Sequence, residues 1–513
     1  MQIGVDVGGT NTDGVILSDG KVLVSEKTTT TENVGDGVFN IIQAVLKKGN
    51  ITPNNISSVM IGTTHFTNAL VERKKLKKIA AIRLALPAAD SLEQMIGWPK
   101  DLVSHLVPIK YFAKGGYEVD GREISKLDKD EITKIAEEIA KQNYTNIAIN
   151  SVYSPLNSEM ELEAREIITK IIPDANISLS HTIGKVGLIE RENATIINSA
   201  LTNLAEDIVE SFKKALKKLN IVAPLYISQN DGTLMKPDKV KEYPVLTFAC
   251  GPTNSMRGAA YLSGIEDSII VDIGGTTSDI GYIKSGFPRQ SAIATDVGGV
   301  RTNFRMPDII SIGLGGGSII RDDGNKVGPD SVGFRLTEKA LVFGGDTLTA
   351  TDIAVKHYNL DIGDKSLLNN IDDSLIKNAK IEITRLLEDS VDKMKTSSEK
   401  VPAVFVGGGT IINKENLNGI SELVIPDNFA VANAVGAALG QVSGEVDRVF
   451  HYEKLGRDKT IELATEEAKQ LAKDAGAKEA SIEINEINEN PLAYLPGKSV
   501  RLQIKAIGDL ENY

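Results

Sequence analysis

The chain carries one short string twice. Asp6 to Ile16 reads DVGGTNTDGVI, and Asp272 to Ile283 reads DIGGTTSDIGYI. The offset is 272 − 6 = 266 residues, and at that offset Asp6/Asp272, Gly8/Gly274, Gly9/Gly275, Thr10/Thr276 and Asp13/Asp279 are identical. Val7/Ile273 and Thr12/Ser278 keep their chemistry. An apolar run precedes and follows each glycine turn, so each copy reads as strand, turn, strand. At 513 residues the chain is too long for one ordinary core. A duplicated unit at this spacing points to two large halves, each presenting one glycine turn.

The remaining pattern alternates helical and strand-like segments, which argues for an α/β protein. Val38, Ile41, Ile42, Val45 and Leu46 have helical spacing, and Gly49 ends that run. Ile197, Leu201, Leu204, Ile208, Phe212 and Leu216 form one stripe of a long helix predicted from Leu188 to about Leu219. A domain boundary is expected just before it. Composition shifts again near Glu445, where a charged amphipathic helix and two alternating strands suggest a small α/β appendage. The expected divisions are therefore 1–186, 187–444 and 445–513.

Composition narrows the function classes. The net charge is −12 with no long basic run, which speaks against nucleic acid as a partner. The single cysteine, Cys250, excludes an internal disulfide and a cysteine metal site. No leader-like start and no uncharged apolar stretch of about 18 residues is present, so a cytoplasmic protein without a membrane partner is expected.

The repeated turn has its own chemistry. Two glycines let the backbone approach a ligand closely. Their N–H groups, with neighbouring threonine hydroxyls, suit phosphate oxygens. An aspartate just ahead of the turn suits a Mg²⁺ held through water, because magnesium keeps several waters and takes few carboxylates. No lysine follows the glycines, so this is not the Walker-type loop, and the G-x-G-x-x-G dinucleotide pattern is absent. A single copy is equally well a plain hairpin turn. Two copies could grip one polyphosphate from opposite sides.

That arrangement resembles the actin, sugar-kinase and heat-shock-ATPase superfold, in which two ribonuclease-H-like domains clamp ATP at a nucleotide cleft. The resemblance implies a third element for the adenosine. VFVGGGT at Val404 to Thr410, followed by ANAVGAALG, looks like it, and the run Gly315 to Gly317 is its rival or else a hairpin near the cleft. Further strings narrow the family: IGTTHFTNALVERK, SLSHTIGKVGLIERENATIINSAL, IISIGLGGGSI and VGPDSVG together resemble the hydantoinase/oxoprolinase family, A-subunit type, over nearly the whole chain to about residue 445. The chain departs from that family's usual pattern at Gln229 to Gly232 and at Cys250 to Ser255, and its C-terminal part is abbreviated.

The resemblance implies ATP-dependent opening of a cyclic amide such as a hydantoin, 5-oxoproline or another lactam. Phosphorylation of the amide oxygen would activate the carbonyl, and a B-type partner subunit would help water attack; an oligomer is expected. ATP and Mg²⁺ are the expected cofactors. Gly8, Gly9, Thr10, Asn11 and Thr12 are assigned to one phosphate loop, and Gly274, Gly275, Thr276 and Thr277 to the other. Gly407, Gly408 and Gly409 are assigned to the adenosine. Asp6 and Asp272 are the metal candidates. Asp272, Asp13 and Asp279 are the catalytic candidates, the last two either orienting a nucleophile or bracing the hairpins. Thr63, Thr64, His65 and Asn68, on a strand-to-helix turn, and Arg191, at the head of the long helix, are the substrate candidates. Capping for Thr64 or His65, and an interdomain ion pair for Arg191, are their structural alternatives. Two other classes stay open: an ATP-driven activator or reactivating chaperone of a partner enzyme, and a small-molecule kinase.

Overall fold

The computed structural model describes residues 1–9, 11–31, 33–291, 294–492 and 498–511. It is α/β throughout. Contacts group the chain into two compact units, each built from three stretches. The first comprises Met1–Gly62, Ala249–Ser291 and Pro307–Leu439; the second comprises Thr63–Phe248, Ala292–Met306 and Gly440–Tyr513. This grouping differs from a division in chain order at 187 and 445, because pairing and packing gather segments far apart in sequence. Both glycine hairpins consequently belong to the first unit.

In the first unit each repeat forms an antiparallel hairpin. Strand Gln2–Val7 pairs with Asn11–Ser18, and Ser268–Ile273 pairs with Ser278–Lys284. The registers match: Asp6 lies opposite Asp13, and Asp272 opposite Asp279. The first hairpin is flanked by Ser58–Thr63 and by Lys21–Thr29. The second is extended by Val401–Val406, which runs parallel to Ser268–Ile273 and sets Val406 beside Asp272. Alternate residues Ile269, Val271 and Ile273 are buried against Ile376, Ile383 and Leu387 of helix Asp373–Met394. Full burial of such side chains stabilises by about 1.5–3 kcal/mol each.

Two short-residue helices, Cys250–Ser263 and Ala432–Ala437, cross with their backbones in contact. A Cβ on Gly258 would overlap the Ala432 carbonyl oxygen, and one on Gly436 would overlap the Asn254 carbonyl oxygen. The segment expected to have hairpin character forms strands Ser318–Arg321 and Lys326–Ser331.

The second unit is built on a parallel sheet in the order Ile109–Lys114, Ile79–Leu86, Asn146–Ser151, Asn176–Leu179. Helices Lys129–Lys141 and Glu159–Ile171 cover it; Asp128 caps the first by accepting the Glu131 N–H. The predicted long helix is present as Leu188–Lys218, with its stripe buried. Strand Ile79–Leu86 is the hardest element to read from sequence, because Arg83 interrupts its apolar run. Arg83 is nevertheless fully buried, held by Glu192. The C-terminal part pairs Gln441–His451 with Ser499–Asp509, which in turn pairs with Glu483–Pro491. Helix Arg457–Ala475 buries Ala464, Ala468 and Ala472. The composition shift at 445 therefore falls inside a strand that begins at Gln441. Among the described residues no helix is long and apolar enough to cross a membrane.

Candidate functional site

The two glycine turns close in the same way. Gly8 N–H donates to the Asn11 carbonyl at 3.0 Å, and Gly274 N–H donates to the Thr277 carbonyl at 2.9 Å. Gly9 and Asn11 are exposed at the first turn; Gly275, Thr276 and Thr277 are exposed at the second. Thr10 lies outside the described residues. Thr12 does not face outward: it is buried, and its hydroxyl lies 3.1 Å from that of Thr30. Thr30 donates to the Gly8 carbonyl at 2.8 Å, so Thr12 donates to Thr30 and the pair ties the turn to the neighbouring strand.

The second turn is held from behind. Gly316 N–H donates to the Gly274 carbonyl at 3.0 Å, and Gly317 N–H donates to the Gly275 carbonyl at 2.7 Å. The Ser331 hydroxyl also reaches the Gly275 carbonyl, at 3.3 Å. In a trans peptide the C=O and the following N–H point in opposite directions. Pinning the carbonyls of Gly274 and Gly275 therefore turns the N–H groups of Gly275 and Thr276 to the other side. Gly316 and Gly317 thus spend their amides on this brace, and Gly315 N–H donates to Ser318 Oγ at 2.8 Å. Gly407 directly follows the strand beside Asp272. Its φ is +88°, and a Cβ there would overlap Asp272 Oδ1. Gly409 N–H donates to the Ile273 carbonyl at 2.7 Å, while Gly408 is exposed with open space at its Cβ position.

Four carboxylates gather at the bases of the hairpins. Asp6 and Asp13 are only 5% and 4% exposed. Asn254 Nδ2 donates to Asp6 Oδ1 at 3.0 Å. Asn433 Nδ2 donates to Asp6 Oδ2 at 3.1 Å and to Asp13 Oδ2 at 2.7 Å. Lys27 Nζ lies 2.8 Å from Asp13 Oδ1. Asp279 accepts from the Ser311 hydroxyl. Burial pushes the Asp6 carboxyl up to about 6, against the pull of the Asn254 amide and with help from the charge of Asp13. Burial likewise pushes Asp272 up to about 6, with the charges of Asp279, Asp6 and Asp13 adding to the rise and the Ser255 hydroxyl opposing it. Asp279 is also raised by burial. Like charges set directly opposite on a hairpin are destabilising. Carboxylates with outward-turned amides beside them are, as a donor set, of the kind that fits a metal–phosphate ligand.

Sequence reasoning missed Asn254, Asn433, Lys27, Ser255 and Ser311. Asn433 sits in the small-residue helix ANAVGA and Asn254 follows Gly251, Pro252 and Thr253 in the first turns of its helix, and an amide in such a setting is the signal that was available. Gly62 also belongs here: a Cβ on it would come within 2.5 Å of Asp6 Oδ1.

The substrate candidates belong to the second unit. Thr63 Oγ1 lies 2.7 Å from His65 Nδ1, and Asn68 Nδ2 donates to Thr64 Oγ1 at 3.4 Å. Burial, aided by the charge of Lys75, lowers the His65 pKa, favouring the neutral ring. Helix His65–Val71 has no side-chain cap hydrogen bond from Thr64. Arg191 is buried, and each of its guanidinium nitrogens donates to the protein: Nε to Ser180 Oγ at 3.0 Å, Nη1 to the Lys185 and Gly187 carbonyls, Nη2 to the Ser151 carbonyl at 2.5 Å. It clamps the start of the long helix, with no carboxylate among those acceptors.

Residues 2–172 match the hydantoinase/oxoprolinase N-terminal region, and residues 191–361 match hydantoinase/oxoprolinase. The chain is 27% identical to caprolactamase subunit alpha of Pseudomonas jessenii over 469 residues, covering 85% of this chain and 65% of that protein. It is 24% identical to the acetophenone carboxylase gamma subunit of Aromatoleum aromaticum over 395 residues, covering 70% of this chain and 54% of that one. The chain thus spans less than two thirds of either relative's length. The crystal structure of ATP-dependent caprolactamase from Pseudomonas jessenii superposes with a TM-score of 0.79 at 20% identity, over 99% of this chain and 87% of that one. That likeness establishes the fold.

Proposed function

Since the chain belongs to the hydantoinase/oxoprolinase family, we propose that it is the ATP-dependent component of an enzyme that activates a cyclic amide by phosphorylating its oxygen, acting with a B-type partner subunit. The observation that carries this reading is the gathering of two like hairpins, each with an opposed aspartate pair, in one compact unit. An amide carbonyl is a poor electrophile, and moving the γ-phosphoryl group onto its oxygen converts that oxygen into part of a leaving group.

Mg²⁺, when bound, supplies neutralisation of the phosphate charge. Among the described residues no three acidic, histidine or cysteine side chains are placed to hold an ion directly. Asp6 and Asp272 are therefore given roles through water. The N–H groups of Gly275 and Thr276, turned outward by the brace behind them, bind phosphate oxygens, and the exposed Gly9 and Asn11 do so at the first hairpin. Gly407–Gly409 receive the adenosine, with open space beside the exposed Gly408. Asp13, tied to Lys27 and Asn433, positions the first hairpin, and Asp279, tied to Ser311, positions the second. The Thr63–Asn68 turn is the candidate contact for the ring.

The test is phosphate release from ATP across a panel of cyclic amides, with and without a B-type subunit, alongside detection of the ring-opened acid. Stimulation by one ring class supports the reading; a stable phosphorylated small molecule would make the chain a kinase instead, and stimulation only by a protein would make it an activator. The likeness to an acetophenone carboxylase subunit makes acetophenone a further compound for the same panel.

A further inference from the structure

The carboxyl ends of two neighbouring strands in the second unit are tied by one buried acid. Glu161, in helix Glu159–Ile171, is fully buried, and four donors converge on its carboxylate. Oε1 accepts from the Ser151 N–H at 2.8 Å and from the Ser180 hydroxyl at 2.5 Å. Oε2 accepts from the His181 N–H at 3.1 Å and lies 2.6 Å from His181 Nδ1. Ser151 ends strand Asn146–Ser151, and Ser180 and His181 follow strand Asn176–Leu179. Ligands of open α/β sheets sit outside such strand ends.

Burial alone would raise the Glu161 carboxyl, but hydrogen bonds from His181 and Ser180 and the nearby Arg191 charge outweigh it and hold the group low. An ionised carboxylate only accepts, so Nδ1 carries the proton it shares with Oε2. In the neutral ring Nε2 is then a bare acceptor. It has no partner among the described residues, and it is not one of their buried unpartnered atoms. The His181 side chain keeps 17% of its surface exposed. A buried acid that fixes one nitrogen while the other meets solvent readies an imidazole for proton transfer. The other titratable groups of this corner are engaged elsewhere. Arg191 donates to the Ser180 hydroxyl and feels the charges of Glu161, Glu192 and Tyr153. Tyr243, beside Thr182 and close to Arg165, donates to Glu242 at 2.7 Å.

We propose that His181 Nε2 is the proton acceptor of the activation step, taking the ring N–H proton of the cyclic amide. The role rests on the proposed function. The ring oxygen forms its bond to the γ-phosphorus as the bond from that phosphorus to ADP breaks. The nitrogen lone pair becomes the second bond of C=N. The N–H proton leaves for Nε2, its electron pair staying on nitrogen. The products are ADP, an imidate phosphate with an uncharged C=N, and an imidazolium paired with Glu161.

The experiment follows ADP formation by the full chain with a B-type subunit, Mg²⁺–ATP and ε-caprolactam, 2-pyrrolidinone or hydantoin, in the parent and in His181→Asn. That substitution keeps a donor near the place of Nδ1 and removes Nε2. Ring-dependent turnover should fall by about a hundredfold to ten-thousandfold, the loss expected for a general base. In the parent kcat/KM should decline toward acid as one proton is taken up. In His181→Asn that limb should be absent, and added imidazole should restore part of the rate. Diethyl pyrocarbonate on the parent reads the same site without a variant: ring-dependent turnover should be lost in step with modification at His181, one of five histidines, and return with hydroxylamine. This arm decides alone if His181→Asn fails to fold. Unchanged turnover after either treatment, or a His181 that does not react, overturns the role. So does a loss that neither imidazole nor pH alters, which would make the pair a structural tie only. If no ring stimulates the parent, the proposed function falls and this step with it; a stimulated parent with an indifferent His181 defeats this inference alone.

Discussion

The two hairpins share residues, register and turn closure, yet they are held differently. At the first, each carboxylate is gripped by side-chain nitrogens: Asp6 by Asn254 and Asn433, Asp13 by Asn433 and Lys27. At the second, hydroxyls from Ser255 and Ser311 meet Asp272 and Asp279, and the turn behind them is fixed by backbone amides and by Ser331. The first hairpin therefore carries a protein cation against its charge. The second is left more negative and more rigid. Duplication of sequence has produced one copy with a lysine set against its carboxylates and one copy held by hydroxyls.

The strongest way to break this contrast is to remove charge from each copy. Asp272→Asn is expected to reduce ATP turnover on the order of a thousandfold, the loss typical of deleting a major electrostatic group. Asp6→Asn should cost less, about a hundredfold, with circular dichroism unchanged in both. Equal losses would erase the asymmetry.

The brace can be tested by adding a methyl group. Gly407→Ala introduces strain at positive φ and overlap with Asp272, and should lower stability by about 2–4 kcal/mol in urea unfolding. Gly275→Ala meets nothing within 4 Å, so stability should stay within about 0.5 kcal/mol while nucleotide binding weakens.

The raised carboxylates give a pH test with a definite sign. Asp6 and Asp272 move from 3.8 to about 6. Below about pH 4 both the folded and unfolded states hold the protons. Between about 4 and 6 only the folded state does. Stability is therefore lost as pH rises through 6, by up to about 2–3 kcal/mol per group. The Asp6→Asn/Asp272→Asn double variant should lack this loss relative to the parent between pH 4.5 and 7.5, and Mg²⁺ should stabilise the parent more at pH 7.5. A parallel pH course in both proteins would count against the buried cluster. The smallest effect is expected from Lys27→Met. Its ion pair with Asp13 is half-exposed on the lysine side, so the change should be about 0.5 kcal/mol.

Much of this was legible because local chemistry repeats in the sequence. The strand–turn–strand reading, the long helix from Leu188 and the buried strand before Gly407 follow from periodicity and glycine placement alone. Thr12 was legible as part of the turn but not its direction, since a one-residue alternation decides which face a strand side chain takes. The placement of Gly316 and Gly317 needed tertiary contact: no local pattern says that their amides point at Gly274 and Gly275. Arg191 read as a substrate group or an interdomain ion pair, yet it is buried and satisfied by the Ser180 hydroxyl and three carbonyls; Arg83, which no pattern singled out, is buried because Glu192, 109 residues away, satisfies it. Asn254 and Asn433 escaped for the same reason, being 248 and 427 residues from Asp6.

The crossing of helices Cys250–Ser263 and Ala432–Ala437 has a mechanical consequence. With Gly258 and Gly436 at the contact there is no side chain to act as a cushion. Neither rod can slide without pushing the other. Each carries, a turn or less from that pivot, the asparagine that grips Asp6. Any change in the charge borne by Asp6 therefore bears on both helices at once, through the amide that each turns toward it.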